Sequence, residues 1–473
     1  MRNAKRNTLI ITALMVAFSI LAVTSLSKLI LTSPKHELTG LEYILGDMEY
    51  AVGNDYGLIY SIDGTQIAEE NDGHYSAING YSEIIGDESG GMIYELKSIL
   101  LANSCDANKR NRTGNSIVAT LHSTGQATAH TVLSDYGEDV EASICVVLKD
   151  GAVLVSATNA SYSPQAFLDP DRYKDLYVDY NAAEAAKGSS FKPIVYRMLL
   201  GHLEELSDGM AFVGTDFEDL SEVNVYGNVI HNYDYYYSAN YDTLRSDGTY
   251  SRICSLSTLL QYSSNTAPVR LTQDIGFKKS YQYINKLYGL DQPLNTDVNT
   301  LTVEPILSEE RLPYFFFGQD ASVPAVRMAQ LYNYCVSGDY YVPFYCASVK
   351  NPDGTTIYMA NPEPKAQYSM DISVRDDILV NALSDTFESY LNDRLIAIYP
   401  KELLYSRRIL TKSGTAENED GTENRVLMMS ILNEERSDVI CTACICVNGT
   451  SSSITNAVFI EKLFSVLKSI KIV

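Results

Sequence analysis

A proline interrupts an α-helix except in its first turn, so Pro193 limits what Lys187-Gly188-Ser189-Ser190-Phe191-Lys192-Pro193 can become. If a helix starts here, Ser189 and Lys192 stand at i and i+3, one above the other on one face. The lysine amine can then reach the serine hydroxyl. A serine hydroxyl is a weak nucleophile at neutral pH and needs an adjacent base. Lysine supplies that base only when desolvation or a second cation lowers its pKa. Gly188 lets the backbone pack tightly before Ser189. The pattern also fits a solvated helix start with a capping serine, so stretches further along the chain decide the reading.

Residues 8–27 carry no charge, follow Arg2, Lys5 and Arg6, and precede Lys28. A run of about 20 apolar residues is what one bilayer-spanning helix requires. Positive charge on its N-terminal side predicts an N-in, C-out orientation. No clear small-x-small cleavage site stands before Leu29, Ile30 and Leu31, which favours a retained anchor over a cleaved signal peptide. The expected order is a cytoplasmic tail at 1–7, a transmembrane anchor at 8–27, and the remaining chain outside the cytoplasmic membrane. With 473 residues, that remainder is long enough for two or three domains. A net charge of −23 argues against nucleic-acid binding, which needs a basic surface. The chain has no Trp and 35 Tyr, so aromatic packing falls to Tyr and Phe.

Cys441, Cys444 and Cys446 are the one cysteine cluster with a metal-like spacing. Their surroundings read as a buried strand, on which Cys441 and Cys444 point to opposite faces. Buried free thiols are the expectation, and no His cluster completes a zinc site.

Along the chain, Asp63-Gly64 is a turn between two short apolar runs. A helix is expected over 92–103, a strand over 116–121, and a helix over 122–134. His122 and His130 are read as surface or satisfied helix residues. Strands at 143–148 and 152–158 flank Lys149-Asp150-Gly151, another turn. Residues 199–250 form a polar, acidic, Tyr-rich insertion with Tyr233, Tyr235, Tyr236, Tyr237 and Tyr241, read as strand or loop packing its rings on the domain. Residues 256–276 read as one helix containing Ser263-Ser264-Asn265. Helices are expected at 324–336 and 371–399. A strand at 408–411 runs into Lys412-Ser413-Gly414-Thr415, and strands at 425–432 and 437–447 follow. Ile460, Leu463, Phe464 and Leu467 give the last helix an apolar face at i, i+3, i+4 and i+7.

Three motifs therefore stand in order: Ser189-x-x-Lys192, Ser263-x-Asn265 and Lys412-Ser413-Gly414-Thr415. The set resembles the active-site signature of penicillin-binding proteins and serine β-lactamases. Gly57 to Ala68 resembles the Gly-x-Ile-x-Asp-x-x-Gly-x-x-Leu-Ala stretch opening the class B transpeptidases, and Gly151 to Ala157 the strand ahead of their catalytic domain. There are departures. Tyr56 stands where an Arg usually precedes the glycine, a Glu is usual near Ile93, and the Asp63-to-Gly64 spacing is shortened. No region resembles a glycosyltransferase.

The resemblance implies an α+β chain with a small α+β N-terminal module at 34–140 and a transpeptidase domain at 141–473. That domain would be a five-stranded antiparallel sheet flanked by helices, beside an all-helical subdomain. The implied activity is D,D-transpeptidation at D-Ala-D-Ala of peptidoglycan stem peptides, with β-lactams as covalent inhibitors. Ser189 would be the nucleophile, Lys192 its base and Ser263 the proton relay. Asn265, Lys412, Ser413, Gly414 and Thr415 would bind substrate, and the backbone N–H groups of Ser189 and Thr415 would form the oxyanion hole. The resemblance implies no cofactor and no metal, and a membrane glycosyltransferase or polymerase as partner. The alternatives are hydrolysis, by a β-lactamase or D,D-carboxypeptidase, and a non-catalytic wall-synthesis scaffold or β-lactam sensor. No convincing Glu-x-x-Leu-Asn-type segment supplies a β-lactamase's deacylating carboxylate.

Overall fold

Runs of Val, Ile, Leu, Met and Cys at 142–157 and 426–447 are too continuously apolar for a sheet with one wet face. A computed structural model of the chain describes residues 56–71, 74–87, 90–101, 114–137, 140–159, 179–206, 217–235, 238–365, 377–451 and 454–473. In it those runs become β1 (Glu141–Leu148), β2 (Val153–Thr158), β4 (Glu423–Leu432) and β5 (Val439–Thr450), and the motif-bearing stretch 409–417 becomes β3 (Ile409–Glu417). They form one antiparallel sheet in the order β3-β4-β5-β1-β2. The hairpin between β1 and β2 turns through Gly151 at φ +93°, a conformation that favours glycine.

Both faces of the sheet are covered. Helix α1 (Ser123–Leu133) lies on β2, and the later helices include α2 (Lys192–Leu206), α3 (Leu256–Gln261), α4 (Thr266–Ile275), α5 (Ala325–Ser337), α6 (Asp377–Ser389) and α7 (Asn456–Ser469). Helices α1 and α7 cover one face, where Ile144, Val146, Leu427, Met429, Ile431 and Ile445 meet Phe459, Ile460, Leu463, Phe464 and Leu467. The expected apolar stripe of the last helix is thus the core stripe. Helix α5 covers the other face, where Asn333 accepts a 2.7 Å hydrogen bond from Thr442 and donates to the Val147 and Leu148 carbonyls. Cys441 belongs to the first core and Cys444 to the opposite face, as the strand period demands. All cysteines among the described residues are free and buried, and no cluster of metal-ligating side chains occurs among those residues.

Two expectations are corrected. The helix expected over 256–276 is two helices, α3 and α4, with a break at Tyr262–Asn265. Pro268 supplies the reason: inside one continuous helix it would remove a hydrogen bond and clash with a carbonyl, whereas after the break it falls in the first turn of α4. The expected all-helical subdomain also contains strands. Phe217–Leu220, Tyr250–Cys254 and Thr243–Leu244 make a three-stranded sheet, and Glu222–Val225 pairs with Asn228–His231 in a hairpin. That hairpin turns through Tyr226 and Gly227, both at positive φ, as tight two-residue turns require. Of its neighbouring tyrosines, Tyr241 is buried and Tyr235 stacks on His231, but Tyr233 is 89% exposed rather than packed. Tyr236 and Tyr237 lie outside the described residues, as does the expected anchor at 8–27. No helix among the described residues is long and apolar enough to cross a membrane.

The N-terminal strands join the later chain. Ile59–Tyr60 pairs in parallel with Ser116–Ala119, which pairs antiparallel with Cys346–Lys350. Asp63 tops this sheet at the expected turn and accepts hydrogen bonds from Ser61 Oγ (2.6 Å), Ser123 N (3.0 Å) and Ser123 Oγ at the start of α1. Burial alone would raise its pKa, but the bonds from Ser123 and Ser61 bring it down to about 2. His130 is satisfied by Glu83 at 3.1 Å, and His122 stands 3.6 Å from Asp63.

Phe464 is fully buried between Tyr399 and Phe387 in the α7 core. Phe464→Ala is expected to lower stability by about 3–5 kcal/mol, measured by urea denaturation.

Candidate active site

Three stretches of backbone without side chains bring the site together. Gly188 opens a 3-10 turn, Gly188–Phe191, that runs directly into α2. Its φ is +53°, and a Cβ there would collide with the Thr415 backbone. A Cβ on Gly414 would strike the Lys187 carbonyl and Ser190 N, and one on Gly318 would strike the Gly188 carbonyl. Glycines at these positions let edge strand β3, the Ser189 turn and the 318 loop touch main chain to main chain. Gly188 N donates to Gly318 O at 2.9 Å, and Lys187 N to Ala321 O at 3.1 Å. Tyr332 of α5 donates to the Ser190 carbonyl at 2.5 Å and fixes the turn from below.

Ser189 is half-buried at the mouth of this turn, and its hydroxyl makes no hydrogen bond among the described residues. Lys192, fully buried one helical turn on, does not bond to Ser189 as its spacing suggested. Its Nζ donates to the Ser263 carbonyl (2.6 Å), Asn265 Oδ1 (2.7 Å) and Ser263 Oγ (3.3 Å). Lys412 approaches from β3. It is also buried, and its Nζ donates to the same Ser263 Oγ at 3.0 Å and to the Ser413 carbonyl at 2.9 Å. Ser263 sits in the break between α3 and α4 at φ +55°, a conformation that costs a non-glycine residue on the order of 1–3 kcal/mol.

Two buried lysines with no carboxylate partner among the described residues therefore share one hydroxyl. Burial pushes Lys192 well below its usual pKa, and the neighbouring Lys412 adds to the effect. Burial alone brings Lys412 to about 7. Among the described residues, no carboxylate forms a hydrogen bond or ion pair with Ser189, Lys192, Ser263 or Lys412.

All eight motif residues meet here, with different roles for their side chains. Asn265 accepts from Lys192 and donates to the His231 carbonyl at 2.9 Å. Thr415 is exposed on β3. Ser413 is held by the Tyr390 hydroxyl at 2.8 Å, on the opposite side of the strand from Lys412. Sequence reading missed Asn232, Asp219 and Tyr390, which brace the motifs. Asn232 Oδ1 accepts from the N–H groups of Asn265 (2.7 Å) and Thr266 (3.1 Å). These residues stand far from the motifs along the chain, and no local pattern marks them.

Residues 224–459 match the family described as "Penicillin binding protein transpeptidase domain". That match begins after Ser189 and Lys192, so their membership in the site rests on the contacts above. Solved structures share the fold. The D,D-transpeptidase domain of a peptidoglycan glycosyltransferase from Eggerthella lenta has 18% identity and a TM-score of 0.68, covering 89% of this chain and 100% of that one. Penicillin-binding protein A from M. tuberculosis, solved as a ceftriaxone acyl-enzyme complex, has 17% identity and a TM-score of 0.70, covering 88% and 98%. Pseudomonas aeruginosa PBP2 has 15% identity and a TM-score of 0.62, covering 88% and 96%. No curated protein sequence matches the chain.

The Lys412 amine gives a pH signature. In the unfolded chain a lysine keeps its proton to about pH 10.4, whereas folded Lys412 loses it near 7. Between those values the unfolded state binds more protons, so Lys412 makes stability rise with pH, by at most about 1.4 kcal/mol per pH unit. Thermal melts from pH 7 to 10 should therefore show wild type gaining on Lys412→Met as pH rises. A constant difference would refute the buried, neutralised amine.

Proposed function

Since this chain belongs to the penicillin-binding protein transpeptidases, we propose that it cross-links peptidoglycan stem peptides by serine acyl transfer at D-Ala-D-Ala. The observation that carries this reading is the Ser263 hydroxyl held between Lys412 Nζ at 3.0 Å and Nζ of Lys192 at 3.3 Å, the lysine that stands one helical turn on from Ser189. Ser189 Oγ attacks the carbonyl between the two D-alanines and gives its proton to neutral Lys192. The backbone N–H groups of Ser189 and Thr415 stabilise the oxyanion, a contribution of about 3–4 kcal/mol for one donor. The intermediate collapses and the C–N bond breaks. The leaving D-alanine amine takes a proton from Ser263, which regains one from the lysine pair. An amine of a neighbouring stem then attacks the acyl-enzyme, restoring Ser189 and forming the cross-link.

The other motif positions act on substrate. Asn265 has a second amide hydrogen to offer a substrate carbonyl beyond the one given to His231. Lys412 and Thr415 hold the terminal carboxylate, and bare Gly414 lets the peptide lie along edge strand β3. Ser413 serves through its backbone, since its hydroxyl is taken by Tyr390. The two amines on Ser263 have no carboxylate bonded to them among the described residues, which supports a long-lived acyl-enzyme over hydrolysis. The apolar run at 8–27 supports an N-in, C-out anchor with this domain on the extracytoplasmic face. A membrane peptidoglycan polymerase would be its partner there.

Full-length chain exposed to fluorescent penicillin is expected to show a stable covalent band, absent in Ser189→Ala. Ser263→Ala is expected to label about 10²–10⁴-fold more slowly, the usual weight of proton transfer. Labelling that survives Ser189→Ala removes the assigned nucleophile, and rapid nitrocefin turnover in place of a band makes the chain a β-lactamase.

A further inference from the structure

The Ser263–Asn265 break is shaped from beneath by a carboxylate outside the three motifs. Asp219, on the strand Phe217–Leu220, is fully buried. It accepts hydrogen bonds from Ser264 Oγ (2.5 Å), Thr266 Oγ1 (2.8 Å), Asn232 Nδ2 (3.1 Å) and Arg252 Nε (2.9 Å). Two of these donors flank Asn265, and the third, Asn232, accepts the N–H groups of Asn265 and Thr266. Arg252 also stacks on the ring of Tyr262, 4.3 Å from its centroid, so both sides of Ser263 are tied to one carboxylate.

We propose that Asp219 is the positioning residue that holds Ser263 between Lys192 and Lys412 and Asn265 against Lys192. This rests on the roles given above to Ser189, Lys192 and Ser263. Nothing in the local backbone favours a left-handed serine, whereas the hydroxyls and amides on either side of it converge on Asp219. Its surroundings also give it an electrostatic effect on the base. Arg252 and Cys254 face it from the neighbouring strand, Asp234 lies beyond Arg252, and Tyr196 and Lys192 face it from α2. Lys412 stands behind Lys192. Asp219 favours the protonated form of Lys192 while Lys412 opposes it. Removing the negative charge at Asp219 therefore lowers the pKa of Lys192 and makes the neutral base available at lower pH.

The test follows penicillin acylation against pH for full-length wild type, Asp219→Asn and Ser264→Ala. Asp219→Asn keeps the shape and loses the charge. It is expected to acylate at least tenfold more slowly, with the midpoint of the rising limb moved to lower pH. Ser264→Ala loses one clamp and keeps the charge, so it is expected to be slower with its midpoint in place. Asp219→Asn at the wild-type rate overturns the proposal. So does a slowed Asp219→Asn whose midpoint is unmoved, since that is a merely structural loss. If Asp219→Asn fails to fold, Ser264→Ala and Thr266→Val decide, and wild-type rates in both overturn the proposal. If wild type itself is not acylated, the functional reading falls separately. The crystal structure of Ser264→Ala then decides the positioning: Ser263 leaving positive φ supports it, and Ser263 unmoved overturns it.

Discussion

Two ammonium groups aimed at one hydroxyl in a dry cleft cannot both stay charged, and the site follows from that constraint. Lost hydration and charge repulsion act in the same direction on Lys192, so the cleft holds its amine well below the usual lysine pKa. The arrangement needs three pieces of chain at fixed separations: helix α2, the break between α3 and α4, and edge strand β3. Much of the surrounding architecture can be understood as holding those pieces. The five-stranded sheet supplies β3, α5 braces the turn before α2 through Tyr332, and the buried Asp219 network holds the break.

The parts of this structure that were legible in the sequence are those that local chemistry dictates. Continuous apolar runs gave four of the five strands of the central sheet, and the spacing of Ile460, Leu463, Phe464 and Leu467 gave the core stripe of α7. Pro193 and Gly188 marked the Ser189 turn. Pro268 carried equivalent information about the α3–α4 break, but the apolar spacing of Leu256, Leu259, Leu260, Val269 and Leu271 suggested one helix. Periodicity continues smoothly across a kink, whereas a proline's demand on the carbonyl four residues earlier does not.

What was not legible depends on partners distant in sequence. Asp219 looked like one acidic residue in a polar insertion, because its four donors come from three separate segments. The same holds for the direct Lys192–Ser189 contact that i, i+3 spacing allows. Spacing places two side chains on a face, but tertiary partners decide where a flexible amine points, and Ser263 and Asn265 outcompete Ser189 here. The mixed composition of the helical layer also escaped notice, since its strands are four or five residues long and half-exposed.

The contact of Gly188 with Thr415, and of Gly414 with Lys187 and Ser190, makes the cleft a gauge cut in main chain. Its width at Ser189 is set by peptide groups rather than by side chains. Substitution elsewhere on β3 or α2 can recolour the walls of the cleft while leaving the reach from Ser189 to the edge strand constant. Such a chain can drift far in sequence and keep the same spacing between the Ser189 turn and its edge strand.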